Sequence, residues 1–334
     1  MITLEEIYAP VEAPLQAIPH TILDILSTPN ELAQDVVRYF FSGKGKLLRP
    51  ALTLLGAKLS NQDTMPPVEN ERRLRHLAAS FEIFHGATLI HDDIIDSAYL
   101  RRNLPTVNIK WGPEVAVLVG DYLHDKAIGS IFKNGHEKII TLFLEMAGTV
   151  CDGEIHELKE KGNLGLTEAE YIQIVDKKTA ALLACCIESG FLFAEPLAGG
   201  SRESLALKQF GHWFGIAFQI VDDCLDFTGQ ENEFGKTLGA DCAAGVLTLP
   251  LIRLLAVADK EKKREIVQIL ESHPQTGKFQ ILLEMIREYE TIEYSLQKAR
   301  EYSDKARSEL ALFHDSQAKR SLDRLLDYVL ERNK

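Results

Sequence analysis

The 334-residue sequence contains few cysteines, and none of them is placed for a metal or redox site. The count of five is odd, and no pair has the C-x-x-C spacing that is typical of zinc and redox motifs. Reduced, inert thiols are therefore expected. The positions are Cys151, Cys185, Cys186, Cys224 and Cys242.

Basic residues are also in short supply, with 37 Lys and Arg against 49 Asp and Glu and a formal net charge of -12. Nonspecific binding to nucleic acid or to an anionic membrane surface requires a basic surface, so the composition argues against both kinds of partner. A small anionic substrate is not excluded, because bound metal ions reverse the charge of a site locally.

Targeting and membrane-spanning signals are missing. No Lys or Arg precedes Arg38, whereas secretory and transit peptides depend on early basic residues. The most apolar stretch, residues 179–200, is interrupted by Glu188 and Pro196 and leaves uncharged runs shorter than the roughly 18 residues of a transmembrane helix. We therefore expect a cytoplasmic protein with no transmembrane segment, in which this stretch is a buried helix.

The spacing of apolar residues predicts helices along the whole chain. Apolar positions recur at three and four rather than at two. Capping-box patterns at Thr3–Glu6, Thr28–Glu31 and Thr167–Glu170 mark three helix starts. The predicted helices cover roughly residues 31–41, 47–59, 70–96, 113–130, 136–158, 168–193, 203–226 and 247–257, with several more after 260. This predicts an all-α protein with a single domain over residues 1–334, and with a glycine-rich loop at Gly229–Gly245.

Two acidic clusters lie inside these apolar helices. Residues 91–96 read His-Asp-Asp-Ile-Ile-Asp and residues 221–226 read Val-Asp-Asp-Cys-Leu-Asp, so each contains D-D-x-x-D. At about 100° per residue, the first and last aspartates of a cluster are about 40° apart on the helix. Carboxylates this close repel one another, and a hard divalent cation such as Mg²⁺ relieves the repulsion. Two solvated helix faces are the alternative, and they account less well for both matches lying in apolar segments.

Basic side chains accompany the clusters in a chain that is otherwise acidic. Lys46 and Arg49 are three residues apart, on one helical face, and Arg101 and Arg102 follow the first cluster. Guanidinium groups bind phosphate oxygens bidentately, while lysine acts as a point charge. An isolated Arg-Arg pair is more often a surface feature, but beside a predicted Mg²⁺ site it indicates phosphate binding.

These motifs resemble those of the trans-prenyltransferases of the polyprenyl synthetase family, the head-to-tail isoprenyl diphosphate synthases. The resemblance runs from G-K-x-x-R-P at Gly45–Pro50, through H-x6-D-D-x-x-D-x4-R-R, to F-Q-x-x-D-D-x-x-D at Phe218–Asp226, and ends at residues 326–332. It implies a large antiparallel helical bundle around a central apolar cavity, usually as a homodimer. It also implies Mg²⁺-dependent condensation of isopentenyl diphosphate with an allylic diphosphate.

The resemblance assigns a role to each matching residue. It implies Mg²⁺ binding by Asp92, Asp93, Asp96, Asp222 and Asp226, with Asp223 in support and Lys178 catalytic alongside them. It implies allylic diphosphate binding by Arg101, Lys178, Thr179, Gln219 and Lys236, the last on a loop expected to close as a lid. It implies isopentenyl diphosphate binding by Lys46, Arg49, His85 and Arg102. Outside the motif, His85 would be interpreted as a core histidine.

Chain length in this family is limited by bulky residues just before the first cluster. Ala87 and Thr88 are small here, so they do not enforce a short tunnel. Phe84 lies one turn deeper on the same face, about 6 Å from Thr88 along the helix axis. We expect Phe84 to form the tunnel floor and the product to be longer than farnesyl diphosphate.

Three residues depart from the family pattern, and two alternative functions stay open. Leu47 stands where Arg is usual, Asn103 where Gly is usual, and Val246 where Lys is common. A regulatory or weakly active subunit of a heteromeric synthase is one alternative, although such subunits usually lose aspartates from one cluster. A terpene cyclase is the other, although its N-S-E-type metal motif is missing. The allylic primer, the pathway and any required partner subunit stay undetermined at this point.

Overall fold

The computed structural model describes residues 2–43, 45–60, 68–228, 239–271 and 276–332. Lys236 and most of the loop at 229–245 lie outside these ranges. The helices are α1 (Leu4–Tyr8), α2 (Glu12–Gln16), α3 (Ile18–Ile25), α4 (Glu31–Phe40), α5 (Leu48–Ser60), α6 (Val68–Ile95), α7 (Val107–Trp111), α8 (Pro113–Asn134), α9 (Glu137–Glu160), α10 (Glu168–Val175), α11 (Ala181–Ala194), α12 (Arg202–Thr228), α13 (Ala240–Ala243), α14 (Leu249–Val257), α15 (Lys260–Glu271), α16 (Thr276–Glu288), α17 (Thr291–Glu309) and α18 (Gln317–Glu331). Short 3₁₀ turns at Ala9–Val11 and Leu310–Leu312 and a π-helical turn at Asp176–Ala180 complete the helical structure.

The all-α prediction is confirmed, and its helix boundaries agree with the structure to within a few residues. The capping boxes of Thr3 with Glu6 and of Thr167 with Glu170 are both formed. The third predicted box is wrong. Asn30 caps α4 by accepting from the amide of Ala33, whereas the Thr28 hydroxyl accepts from the amide of Asn30. Asparagine is a stronger N-cap than threonine, so the helix begins after Asn30 and not after Thr28.

A two-stranded antiparallel hairpin follows α6 and was not predicted. Strands β1 (Leu100–Arg101) and β2 (Leu104–Pro105) are joined by a two-residue turn. Both turn residues, Arg102 and Asn103, have positive φ values, of 52° and 62°. A two-residue hairpin favours this pair of left-handed conformations. Asparagine tolerates the left-handed region, so Asn103 can replace glycine here at little cost.

Helix α11 lies in the centre of the molecule, where it packs against α5, α9 and α12. Its side chains are buried from Ala181 to Leu192, which confirms most of the buried helix expected for residues 179–200. The helix ends at Ala194, and the exposed residues 195–197 lie beyond it. Close approach to α5 depends on two glycines, because a Cβ at Gly56 or at Gly190 would overlap the backbone of the opposite helix. None of the described helices is long and apolar enough to cross a membrane.

The two longest helices carry the acidic clusters near their C-terminal ends. Helix α6 has 28 residues and α12 has 27. Both are anchored by their apolar residues in the same core, α6 against α8 and α12 against α11 and α17. The two clusters therefore meet at a common cavity.

Candidate active site

A cavity of about 550 Å³ lies between the C-terminal ends of α6 and α12. Side chains from both helices, from the hairpin, from α9 and from the π-helical turn line it. Eight residues predicted from the sequence are among them: Asp93, Asp96, Arg101, Arg102, Lys178, Thr179, Gln219 and Asp223. The structure thus brings together residues that are up to 130 positions apart in the chain (from Asp93 to Asp223).

In the first cluster, Asp93 forms an ion pair with Arg101, which is predicted to bind the allylic diphosphate. Its carboxylate is 2% exposed and accepts from Arg101 Nε at 3.0 Å on both oxygens and from Nη2 at 2.9 Å on Oδ1. The Asn108 amide donates to the Asp93 carbonyl at 3.3 Å. Arg101 is therefore held toward the cavity by a charge-assisted, bidentate pair.

The other two aspartates of the first cluster face acidic residues of α9. Asp92 and Asp96 line a small recess together with Glu154 and Glu157. Burial and the nearby Glu154 raise the pKa of Asp92 to about 7, and burial also raises the pKa of Glu154. Burial therefore disfavours the ionised forms of two neighbouring carboxyl groups in the recess.

Two lysines neutralise acidic residues of this recess: Lys161, which lines it and lies 3.7 Å from Asp96 Oδ1, and Lys178, which binds both glutamates. The Lys178 ammonium group lies 2.9 Å from Glu154 Oε2 and 2.5 Å from Glu157 Oε2. Burial opposes its charge, but Glu157 and Glu154 outweigh burial and raise the pKa of Lys178. It is therefore positively charged at neutral pH. The π-helical turn at Asp176–Ala180 points it into the cavity, and such turns are frequent at functional sites.

In the second cluster, Asp223 is buried and fixed by hydrogen bonds. Its Oδ2 accepts from the Tyr171 hydroxyl at 2.6 Å, and its Oδ1 accepts from Gln219 Nε2 at 2.8 Å. Gln219 Oε1 in turn accepts from the Thr179 hydroxyl at 2.9 Å. These bonds form one chain from α12 to the π-helical turn and place three predicted residues at fixed positions in the cavity wall.

The remaining aspartates of the second cluster lie toward different neighbours. Asp222 Oδ1 accepts from Arg332 Nη2 at 2.9 Å. Asp226 Oδ2 accepts from the amide of Asp241 at 3.3 Å, and the amide of Gly239 donates to the Asp226 carbonyl at 3.0 Å. Asp226 therefore joins the end of α12 to the start of α13.

A second cavity, of about 500 Å³, adjoins the first. Asp93, Arg101 and Arg102 line both cavities, and His85, Gly45 and Leu47 line only the second. Burial and three neighbouring guanidinium groups lower the pKa of His85, so its imidazole is neutral at pH 7. Burial also lowers the pKa values of Lys46 and Arg49. Of the four predicted isopentenyl diphosphate residues, His85 and Arg102 line the second cavity, whereas Lys46 and Arg49 line neither cavity.

Backbone strain is concentrated around these cavities. Leu47, Ser97, Arg102 and Asn103 have φ values between 49° and 62°, a region that is sparsely populated by residues other than glycine. All four lie in the segments that follow α6 or precede α5. Such strain is frequent at functional sites, where the surrounding structure holds it in place.

The donor set suits a hard divalent cation. The acidic side chains are carboxylates, the ligand type that Mg²⁺ prefers. Burial, and after it the charge of Glu154, raise the pKa of Asp92, and a bound cation would favour its ionised form. Within the described ranges, no three His, Cys, Asp or Glu side chains are already gathered around one point. Asp93, Asp96 and Asp222 are instead paired with Arg101, Lys161 and Arg332, which supply positive charge at these positions.

The predicted chain-length residues lie deeper in the bundle, on α6. Phe84 and Ala87 are buried, and the Thr88 hydroxyl donates to the His85 carbonyl at 2.9 Å. The Phe84 ring packs edge-on against Phe143 of α9 at 5.2 Å between centroids. It also contacts the ring of His124 of α8, at 5.6 Å. Phe84 therefore fills the space between three helices.

Several residues of the site were missed by the sequence interpretation, among them Lys161, which lines the cavity and lies 3.7 Å from Asp96 Oδ1. Glu154 and Glu157 bind Lys178, Tyr171 binds Asp223, and Arg332 binds Asp222. Glu154 and Glu157 are three apart on α9, but acidic pairs at this spacing are common on solvated helix faces. Arg332 is part of the C-terminal segment that resembles the family, but that resemblance assigns it no role. Tyr171 belongs to none of the motifs.

Comparisons with known proteins found one matching family model and similar sequences and structures. The family model described as polyprenyl synthetase matches residues 30–286. A short chain isoprenyl diphosphate synthase of Methanothermobacter thermautotrophicus is 30% identical, over 93% of this chain and 98% of its own. The crystal structure of a decaprenyl diphosphate synthase from Rhodobacter capsulatus superposes with a TM-score of 0.90, 31% identity and coverage of 99% and 100%. The crystal structure of a Caulobacter crescentus polyprenyl synthase, complexed with calcium and isoprenyl diphosphate, superposes with a TM-score of 0.91 and 28% sequence identity. The match covers 99% of this chain and 98% of that one.

Proposed function

The chain belongs to the polyprenyl synthetase family and is a prenyltransferase, and from this premise we propose that it condenses isopentenyl diphosphate head-to-tail with an allylic diphosphate in a Mg²⁺-dependent reaction. One observation carries the proposal. Two adjoining cavities share Arg101 and Arg102, and the first of them contains aspartates from both clusters together with Lys178. Two diphosphates bound in these cavities would lie next to each other, as a condensation requires.

The allylic diphosphate binds in the first cavity. Asp92, Asp93, Asp96, Asp222 and Asp226 are the residues that would hold Mg²⁺. Bound there, Mg²⁺ supplies positive charge that stabilises the diphosphate as it leaves the allylic carbon. Lys178 and Arg101 add fixed positive charge at the same place, and their acidic partners hold both groups in position.

Isopentenyl diphosphate binds beside Arg102, Lys46, Arg49 and His85. Neutral His85 donates or accepts a hydrogen bond without adding charge. The allylic carbon–oxygen bond breaks first and releases diphosphate, and the double bond of isopentenyl diphosphate attacks the resulting allylic cation. The condensed cation then loses a proton from the isopentenyl unit to the released diphosphate, which forms the new double bond. Apolar residues that line the cavity, such as Ile174 of α10 and Leu247 in the segment before α14, exclude water that would quench the cation.

The product is proposed to be longer than farnesyl diphosphate. Ala87 and Thr88 leave space next to the first cluster, and Phe84 blocks the bundle one turn further down. The similar proteins named above include both a short-chain and a decaprenyl synthase, so their names do not fix the length.

A cytoplasmic homodimer is proposed as the working form. Helices α8 and α9 expose large apolar side chains, among them Leu118, Phe132 and Ile155 at 63–67% exposure. Unpartnered apolar surface of this kind is typical of subunit interfaces. Light scattering measures the oligomeric state directly.

The test of the proposed reaction is elongation by the purified protein. Incubation with Mg²⁺, radiolabelled isopentenyl diphosphate and each allylic primer in turn is expected to give polyprenyl diphosphates, and EDTA is expected to abolish them. Folded protein that elongates no primer would overturn the proposal. It would favour the alternative of a subunit that depends on a partner, which the presence of both aspartate clusters argues against.

A further inference from the structure

The C-terminal helix α18 delivers a cation to the second aspartate cluster. Arg332, directly after α18, donates from Nη2 to Asp222 Oδ1 at 2.9 Å. Its guanidinium carbon lies 4.8 Å from the centroid of the Phe218 ring, one turn before Asp222 on α12. The Arg332 side chain is only 10% exposed, so this is a built contact and not a surface pair.

Arg332 also lies close to Lys46, a lysine that is predicted to bind isopentenyl diphosphate. After burial, its charge is the largest influence that lowers the pKa of Lys46, while Asp222 acts in the opposite direction. The Nη1 atom of Arg332 is buried and has no hydrogen-bond partner among the residues that the structure describes. The guanidinium thus has one nitrogen on Asp222 and another free to bind an acceptor, with Lys46 nearby.

We propose that Arg332 is an internal counter-cation that competes with the metal ion for Asp222 and then serves the diphosphate bound at Lys46. The inference rests on the proposed function, which assigns Asp222 to Mg²⁺ and Lys46 to isopentenyl diphosphate. Since a cation at Asp222 Oδ1 displaces the guanidinium hydrogen bond, metal binding frees Arg332. The Phe218 ring retains the guanidinium by a cation–π contact while its donors turn to phosphate oxygens.

This coupling predicts opposite effects on two ligands. Arg332→Met removes the competitor for Asp222, so Mn²⁺ alone, titrated against the substrate-free protein, is expected to bind the second cluster about fivefold more tightly. The same change removes a phosphate donor, so the KM for isopentenyl diphosphate is expected to rise about tenfold. Arg332→Lys keeps the charge and is expected to fall between wild type and Arg332→Met in both measurements.

Two further variants locate the effect. In an Asp222→Asn background, Arg332→Met is expected to leave Mn²⁺ affinity unchanged, because the contested carboxylate is gone. Arg307→Met is the matched control. Arg307 of α17 binds Asp323 and Asp327 of α18, the helix that precedes Arg332, and lines neither cavity. The Arg307→Met variant tests whether looser docking of α18 is enough, and it is expected to leave Mn²⁺ affinity and KM unchanged.

The failure of this inference is distinct from failure of the proposed function. Wild-type protein that elongates no primer overturns the proposed function. Active wild-type protein whose Arg332→Met variant binds Mn²⁺ no more tightly overturns the competition at Asp222. An Arg307→Met variant that reproduces both changes would assign them to helix docking and would equally overturn it.

Discussion

Arg101 and Asp93 form a bidentate ion pair at the junction of the two cavities, with three donor–acceptor distances of 2.9–3.0 Å. Asp93 is 2% exposed and Arg101 31% exposed. The pair therefore links the first cluster to the hairpin that carries both arginines.

Arg101→Met is expected to lower the free energy of unfolding by about 2–3 kcal/mol, because it leaves a buried carboxylate without its counter-charge. This loss of unfolding free energy is small for a buried ion pair, because part of the Arg101 side chain is exposed to solvent. Urea denaturation in metal-free buffer measures it. In a double-mutant cycle with Asp93→Asn, the two losses are expected to be less than additive. Additive losses would show that the pair contributes nothing of its own.

Tyr171→Phe tests the hydrogen bonds around Asp223. The hydroxyl donates to a buried carboxyl group at 2.6 Å, so its removal is expected to cost about 1–2 kcal/mol of unfolding free energy and to lower kcat. Tyr294→Phe is the matched control. Its hydroxyl donates at the same distance to Glu168, but near the surface, where water replaces the bond. Equal losses in the two variants would contradict a special role for the buried bond.

Lys178→Gln is expected to lower kcat by at least a hundredfold, because a fixed positive charge is lost where the leaving diphosphate develops charge. The neighbouring Lys177 provides a control in the same π-helical turn. It pairs with the exposed Asp152 at 2.6 Å and does not line the first cavity. Lys177→Gln is therefore expected to change kcat by less than threefold. Steady-state kinetics at saturating concentrations of both substrates distinguishes the two, and similar losses would argue against the assignment of Lys178.

The sequence was sufficient for those parts of the structure that depend on local spacing. Helices α6 and α12 were predicted from apolar periodicity, and the aspartates on each were recognised because they are contiguous in the chain. Tyr171 and Arg332 were not assigned roles, because their partners are 52 and 110 residues away. Only tertiary packing brings such residues together, and no local pattern reports it.

The hairpin shows the same limit on a smaller scale. Its strands are two residues long, too short for an alternating pattern to be visible. Asn103 departs from the usual glycine, yet its φ of 62° is one that asparagine tolerates. The position requires a backbone conformation, and two residue types satisfy it.

Phe84→Ala is expected to shift the product distribution toward longer chains, because the ring fills the space between α6, α8 and α9. Removal of the ring also leaves an empty space in the core, which is expected to lower the free energy of unfolding by about 3–5 kcal/mol. Phe84→Leu removes less volume and is therefore measured in parallel. Phe210→Ala is the control, since Phe210 is equally buried but stacks on Phe214 of α12. Chromatography of dephosphorylated products at matched turnover is the measurement. An unchanged distribution in folded Phe84→Ala, or the same shift in Phe210→Ala, would show that Phe84 is not the floor.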